Sequence, residues 1–195
     1  MILATNNNDK TKQFKGLFAG YEIFSLKEKG IVIDIEENGK TFQENAIIKA
    51  KAIHELTGES VLADDSGICI NELNDWPGVE THRFLGENAT NEDRNNCILE
   101  KMKDLPREKR GCKIVCSLAF CDKKGNIYTT DGVLDRFIVE SPRGDNKFGF
   151  DEIVEILPGL TAAELTTEEK NKISARSVAT KKMKEILDNL DKNLI

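Results

Sequence analysis

A mixed α/β sheet with helices on both sides is the fold this 195-residue sequence predicts. Three observations point there. Apolar runs of strand length alternate with segments whose apolar residues recur every three to four positions, the helical spacing. Two long strand-like runs, Cys112–Cys121 and Ile127–Val139, are joined by the turn Asp122-Lys123-Lys124-Gly125, a hairpin signal inside an otherwise alternating chain. The length suits one domain spanning residues 1–195, with room for two lobes on one sheet, and lets roughly 70% of the unfolded surface be buried.

Taken in order, Met1–Ala4 reads as a short buried strand and Lys10–Phe18 as a helix. Between them lies Thr5-Asn6-Asn7-Asn8-Asp9-Lys10. Asn and Asp satisfy the free N–H groups of a helix start. The same place suits an anion, because a helix N-terminus carries donors and partial positive charge, to which Lys10 adds a full one. Tyr21–Leu26 and Ile31–Ile35 follow as strands. Thr41–Leu56 is a helix, with Phe42, Ala46, Ala50 and Ile53 on one face and Gly58 beyond its end. Ser60–Ala63 is a strand that the turn Asp64-Asp65-Ser66-Gly67 interrupts before Ile68-Cys69-Ile70. Asn91–Met102 is helical, and the hairpin follows. Thr166 with Glu169 forms a capping box opening a last helical region that runs, with a break near Ser174, to about Leu190.

Composition narrows the class. With 39% hydrophobic and 32% charged residues the chain fits an ordinary globular protein. No run approaches the ~18 apolar residues of a spanning helix, and no export signal opens the chain, so a cytoplasmic protein is expected. The five cysteines form no C-x-x-C pair, and Cys112, Cys116 and Cys121 read as small core residues. Two histidines are too few for a His-rich metal site. A net charge of −6 argues against a nucleic-acid binder but leaves room for a local basic site.

Carboxylates and lysines therefore carry the chemistry. Asp64-Asp65 reads either as a solvated acidic turn or as a Mg²⁺ site, since adjacent carboxylates repel unless a cation relieves them. Glu36-Glu37-Asn38-Gly39 is a second acidic loop, either merely solvated or bringing another carboxylate to the same ion. Lys49 follows Asn45 by one helical turn, so both share a helix face, which faces either solvent or substrate. The loop from Ser141 to Asp151 sets Arg143 and Lys147 among glycines, then Phe148 and Phe150 beside Asp151. Its aromatics either stack on a base or pack into the core.

Six stretches recur in one order. They are Thr5-x-Asn7-x-x-Lys10; Glu37-x-Gly39 with Thr41-Phe42-Gln43-Glu44-Asn45-Ala46 and Lys49; and Ala63-Asp64-Asp65-Ser66-Gly67. Then come Pro77-Gly78-Val79 with Arg83; Pro142-Arg143-Gly144 with Phe148-Gly149-Phe150-Asp151; and Ala163-Glu164-Leu165 with Glu168-Glu169-Lys170-Asn171 and Ile173-Ser174. From Leu3 to about Leu187 this pattern resembles the inosine triphosphate pyrophosphatase, or Ham1-like, family of non-canonical purine NTP pyrophosphatases.

The resemblance implies a two-lobed α/β fold around a long mixed sheet, an active-site cleft between the lobes, and a homodimer. It implies Mg²⁺-dependent hydrolysis of ITP, dITP and XTP to monophosphate and pyrophosphate, with Mn²⁺ as a possible substitute. Thr5, Asn6, Asn7, Asn8, Asp9 and Lys10 would hold the triphosphate. Glu37 and Asp65 would serve the metal, and Asp65 would be the proton acceptor, with Asp64 and Lys49 beside it. Ser66 would contact substrate, Phe148, Gly149, Phe150 and Asp151 would hold the nucleoside, and Lys170, Ala175 and Arg176 would line the base. The partner implied is a small purine nucleotide, with neither nucleic acid nor membrane.

The sequence departs from that family's usual pattern at Asn6, where Gly is common, at His82, where a small residue is usual, and at Ala175, where His is common. Two rival readings exist. Leu62-Ala63-Asp64-Asp65-Ser66-Gly67 suggests the Asp-Ser/Thr-Gly turn of an aspartic protease, but Asp131-Gly132 is a poor second turn. A non-catalytic nucleotide-binding protein would be expected to lack an acidic ligand, yet Glu37, Asp64 and Asp65 are all present.

Overall fold

The computed structural model describes residues 1–86, 88–145 and 148–192, and of residues 191 and 192 the backbone alone. Lys147 thus lies outside the described residues. Eight strands and five α-helices are found among the described residues, in a mixed sheet as the sequence predicts. The strand order is β2-β1-β3-β5-β6-β7-β8, with β4 paired to β3. The strands are β1 (Ile2–Leu3), β2 (Phe24–Ser25), β3 (Val61–Ile70), β4 (Trp76–Pro77), β5 (Gly111–Cys121), β6 (Ile127–Ile138), β7 (Val154–Leu157) and β8 (Leu160–Thr161). The helices are α1 (Asn8–Leu17), α2 (Phe42–Thr57), α3 (Asn91–Lys101), α4 (Thr167–Ile173) and α5 (Ala175–Lys192). None is long and apolar enough to cross a membrane.

The chain gathers into two compact units. The first holds residues 1–66, 116–132 and 175–195, and the second holds 67–115 and 133–174. In the first unit β1 runs parallel to β2 and β3, pairing Ile2 with Phe24 and with Val61. Ile2, Ala4, Ala46, Ala50, Ile53 and Val61 form its core, fully or nearly fully buried. In the second unit β7 lies antiparallel to β6 and to β8. Its core gathers Ile68, Ile70, Ile98, Met102, Ile138 and Ile153, against which Phe150 packs.

Two expectations are corrected. Ile31–Ile35 is no strand: Ile31, Ile33 and Ile35 pack on the first core while Val32 is 99% exposed. The alternation reflects one-sided burial without a ladder. Asp64-Asp65-Ser66-Gly67 is no turn, because β3 runs unbroken through it. Cations brought by helices meet both carboxylates there, which removes the repulsion and desolvation that would otherwise favour a solvated turn. The hairpin is as expected, Gly125 N–H donating to Asp122 O at 3.0 Å. So is the break at Ser174, between α4 and α5.

Helix α5 is seated on β6 by close backbone approach. A Cβ at Gly132 would fall 1.9 Å from the Ala175 carbonyl oxygen and 2.8 Å from the Ala179 nitrogen. Thr130 Oγ1 donates to Ala179 O at 2.9 Å, and Lys182 Nζ to Asp131 O at 2.6 Å. Because a backbone oxygen has nowhere to yield, Gly132→Ala should cost about 3 kcal/mol, the upper end for overpacking. The check is the urea midpoint, which should fall at unchanged slope. An unchanged midpoint would mean that α5 does not depend on this contact.

Candidate active site

Successive residues of a strand point to opposite faces, so Asp64 and Asp65 meet different partners. On one face Lys10 Nζ lies 3.0 Å from Asp64 Oδ2, and Arg176 Nη2 lies 3.5 Å from the same oxygen. Arg176 also donates to Gln13 Oε1 and, at 3.3 Å, to Ser66 Oγ, with its guanidinium 5.3 Å over the Phe14 ring. Asp64 is 1% exposed, and its Oδ1 has no hydrogen-bond partner among the described residues. Burial alone would raise its pKa, but Lys10, Arg176 and Lys49 together hold the carboxyl well below the usual range.

On the other face Asn45 Nδ2 donates to Asp65 Oδ2 at 3.0 Å, and Lys49 Nζ stands 3.8 Å from Asp65 Oδ1. The same ammonium pairs with Glu37 Oε2 at 2.7 Å. Asn45 is fully buried, and its other end accepts Gly39 N–H at 2.8 Å. Only glycine fits that approach, since a Cβ at 39 would lie 2.7 Å from the Asn45 oxygen. Burial pushes Asp65 up; Lys49 and Asn45 oppose it, Glu37 adds to it, and the carboxyl ends above its ordinary value. Neighbouring carboxylates are thus tuned in opposite directions. Cys116 is no nucleophile, for burial pushes its thiol up to about 12.

The donor set fits a hard cation. Glu37 and Asp65 offer only oxygens, and both already converge on one positive group, the Lys49 ammonium. Among the described residues no three His, Cys, Asp or Glu side chains form a metal cluster. Two carboxylates suit an ion completed by water and phosphate oxygens.

At the start of α1 the Asn7 side chain accepts the N–H groups of Asp9 at 2.9 Å and Lys10 at 3.1 Å. Asn7 N–H in turn donates to Thr5 Oγ1 at 3.2 Å. The cap therefore uses two donors an anion would want, leaving it the Lys10 charge and the exposed amides of Asn6 and Asn8, while the exposed Asp9 carboxylate adds a negative charge.

The second unit carries its own cluster. Lys170 Nζ lies 2.5 Å from Asp151 Oδ2 and 5.5 Å above the Phe148 ring. Lys170 and Arg176, read together from the sequence, belong to different units and have different carboxylate partners, Asp151 and Asp64. Ala175 is buried. Within the first unit the structure does bring together Lys10, Glu37, Lys49, Asp64, Asp65, Ser66 and Arg176. Asn45 was assigned no role from sequence, although its spacing four residues before Lys49 and its place just after the Thr41–Glu44 capping box were visible signals.

Residues 1–186 match the Ham1 family along almost the whole chain. The chain belongs to the Ham1 family. A dITP/XTP pyrophosphatase of Thermoanaerobacter sp. (strain X514) is 44% identical over 188 residues, covering 94% of each chain. The dITP/XTP pyrophosphatase of Bacillus subtilis (strain 168) is 40% identical over 96% of each. The Ham1 protein of Staphylococcus aureus superposes with a TM-score of 0.87 at 31% identity, covering 96% of this chain and 97% of its own. A Ham1 protein from Coxiella burnetii gives 0.86 at 38% identity, covering 96% and 98%.

In this Ham1 chain the buried Asp64 should matter for stability as well. Asp64→Asn leaves Lys10 and Arg176 facing a neutral amide, a loss of about 3–5 kcal/mol when one member of a buried pair is removed. Because the folded carboxyl is more acidic than the unfolded one, its contribution is present above pH ~4 and is lost as pH falls through the folded value. The stability gap between wild type and Asp64→Asn should therefore narrow below pH ~4 in pH-resolved denaturation. A gap independent of pH would contradict the pairing.

Proposed function

We propose that this chain hydrolyses non-canonical purine nucleoside triphosphates, dITP/ITP and dXTP/XTP, to the monophosphate and pyrophosphate, with Mg²⁺ and with Mn²⁺ as a substitute. The observation that carries the reading is the convergence of Lys10, Lys49 and Arg176 on Glu37, Asp64 and Asp65 at 2.7 to 3.8 Å. Adjacent strand residues with different partners divide the roles of the two carboxylates. Asp64 is taken up by Lys10 and Arg176; Asp65, held by the Asn45 amide and an ammonium 3.8 Å away, is the carboxylate that would accept a proton. The curated relatives' names as dITP/XTP pyrophosphatases support the same assignment.

Lys10, Lys49 and Arg176 face Glu37, Asp64 and Asp65, so the cluster is formally neutral. A tetra-anionic triphosphate therefore calls for added positive charge, and Glu37 with Asp65 would hold it. When bound, the divalent cation neutralises phosphate charge and stabilises the leaving pyrophosphate. Thr5 to Lys10 would bind the phosphates, Ser66 would contact the substrate, and Asp65 would orient the attacking water and take its proton. The bond broken joins the α-phosphoryl group to the departing pyrophosphate. Phe148 to Asp151 would hold the nucleoside, with Lys170 and Arg176 reading the base beside Ala175. The resemblance is also the ground for reading the working unit as a cytoplasmic homodimer of single-domain chains.

Pyrophosphate, rather than orthophosphate, should appear when ITP is supplied with Mg²⁺, and chelator should abolish turnover. Asp65→Asn should lower kcat by about 100-fold or more while still folding, as expected for removal of a general base. Orthophosphate release would overturn the reaction type, and near-normal turnover would overturn the role of Asp65.

Base choice rests on donors. Hypoxanthine and xanthine present an acceptor at O6, where adenine presents an amino donor. Arg176 has only donors, and its buried Nε has no acceptor among the described residues. Arg176→Ala should narrow the ITP-to-ATP ratio of kcat/KM by at least about tenfold, the scale of one buried donor left unmatched. Equal loss on ITP, XTP, GTP and ATP would instead put Arg176 with Lys10 on the phosphates, consistent with their shared Asp64.

A further inference from the structure

The turn from Phe148 to Glu152 is held carbonyl by carbonyl. Phe148 O accepts Asp151 N–H at 3.1 Å, and Phe150 O accepts Ile153 N–H at 3.0 Å. Asp151 O accepts Ala163 N–H at 3.0 Å, and Glu152 O accepts Arg143 N–H at 2.9 Å. Gly149 O is answered differently, by the side-chain amide of Asn95 on α3, Nδ2 to O at 3.3 Å. Asn95 is 1% exposed, and its Oδ1 has no hydrogen-bond partner among the described residues. A buried amide oxygen without a donor is unfavourable. Turning the amide over would bring oxygen against oxygen at Gly149, so the bond to this loop fixes the orientation.

We infer that Asn95 is the positioning residue of the Phe148–Asp151 segment. Its amide sets the Gly149 peptide, and with it the ring of Phe148 and the carboxylate of Asp151 on either side. The inference rests on the reading of that segment as the nucleoside holder. Asn95 touches neither the phosphates nor Asp65 in this scheme, so it acts on nucleoside affinity and leaves the chemical step alone. The neighbouring Arg94 serves the fold by a different route, donating to the carbonyls of Phe84, Gly86 and Ala89.

The test uses Asn95→Leu, which keeps the branching and removes the donor, and Asn95→Asp, which replaces the donor by an oxygen. Phe148→Ala serves as the control for the loop itself. Both Asn95 variants should raise KM for ITP at least about tenfold with kcat within about threefold, the pattern of lost uniform binding. Inhibition by inorganic tripolyphosphate, which has no nucleoside, should stay at the wild-type value. If Phe148→Ala raises KM and neither folded Asn95 variant does, this inference falls and the nucleoside reading stands. If none of the three moves KM, the nucleoside reading falls and takes the inference with it. Equal weakening of tripolyphosphate, or failure of both Asn95 variants to fold, would make Asn95 a purely structural residue and overturn its positioning role.

Discussion

Burying Asp64 in the middle of an apolar strand is tolerable only because Lys10 and Arg176 reach it, at 3.0 and 3.5 Å. Much of the first unit's geometry follows from that requirement. Lys10 comes from the first turn of α1, so the short strand β1 and its capped exit must bring that turn over β3. Arg176 comes from the first turn of α5, so the helix must lie against Gly132. Such an ion cluster adds little net stability, since desolvation offsets most of the attraction. What it fixes is the place of two cations.

The second carboxylate is supported by other means. Asp65 relies on an amide and a more distant ammonium, and the amide is itself anchored by the Gly39 peptide. One backbone bond along the strand separates a carboxyl held charged from one made basic. Direct contacts to Asp65 come from α2, with the acidic loop beside it, and those to Asp64 from α1 and α5, while the ammoniums of Lys10 and Lys49 act on both.

Much of this was legible in the sequence, for physical reasons. Helix α2 carried its apolar stripe and its Thr41–Glu44 box, and the β5–β6 hairpin carried its turn, so both were readable from local chemistry. Lys10, Glu37, Lys49 and Asp65 could be chosen because hard-ion and phosphate chemistry needs those groups. Asp64-Asp65-Ser66-Gly67 was misread as a turn because turn propensity is local, whereas the cations that let it stay a strand arrive from residues 10, 49 and 176. The short strands β4, β7 and β8 were invisible, having two to four residues each and being defined by their partners. Asn95 was missed because an asparagine inside a helix shows nothing until its acceptor is known, whereas Asn45 was visible beside Lys49 on one helix face and lacked only the acceptor that gives it a role.

Threonine capping boxes open α2, α3 and α4, at Thr41, Thr90 and Thr166. Asn45 and Lys170 lie four residues past their caps, and Asn95 lies five past its own. A capping box closes within four consecutive residues, so it marks where a helix starts from local sequence alone. Each of these helices therefore has its starting residue, and with it its rotational phase, set by its own cap. The side chains one turn further on inherit that phase, so a change of cap at Thr41, Thr90 or Thr166 would re-aim the group that meets Asp65, Gly149 or Asp151.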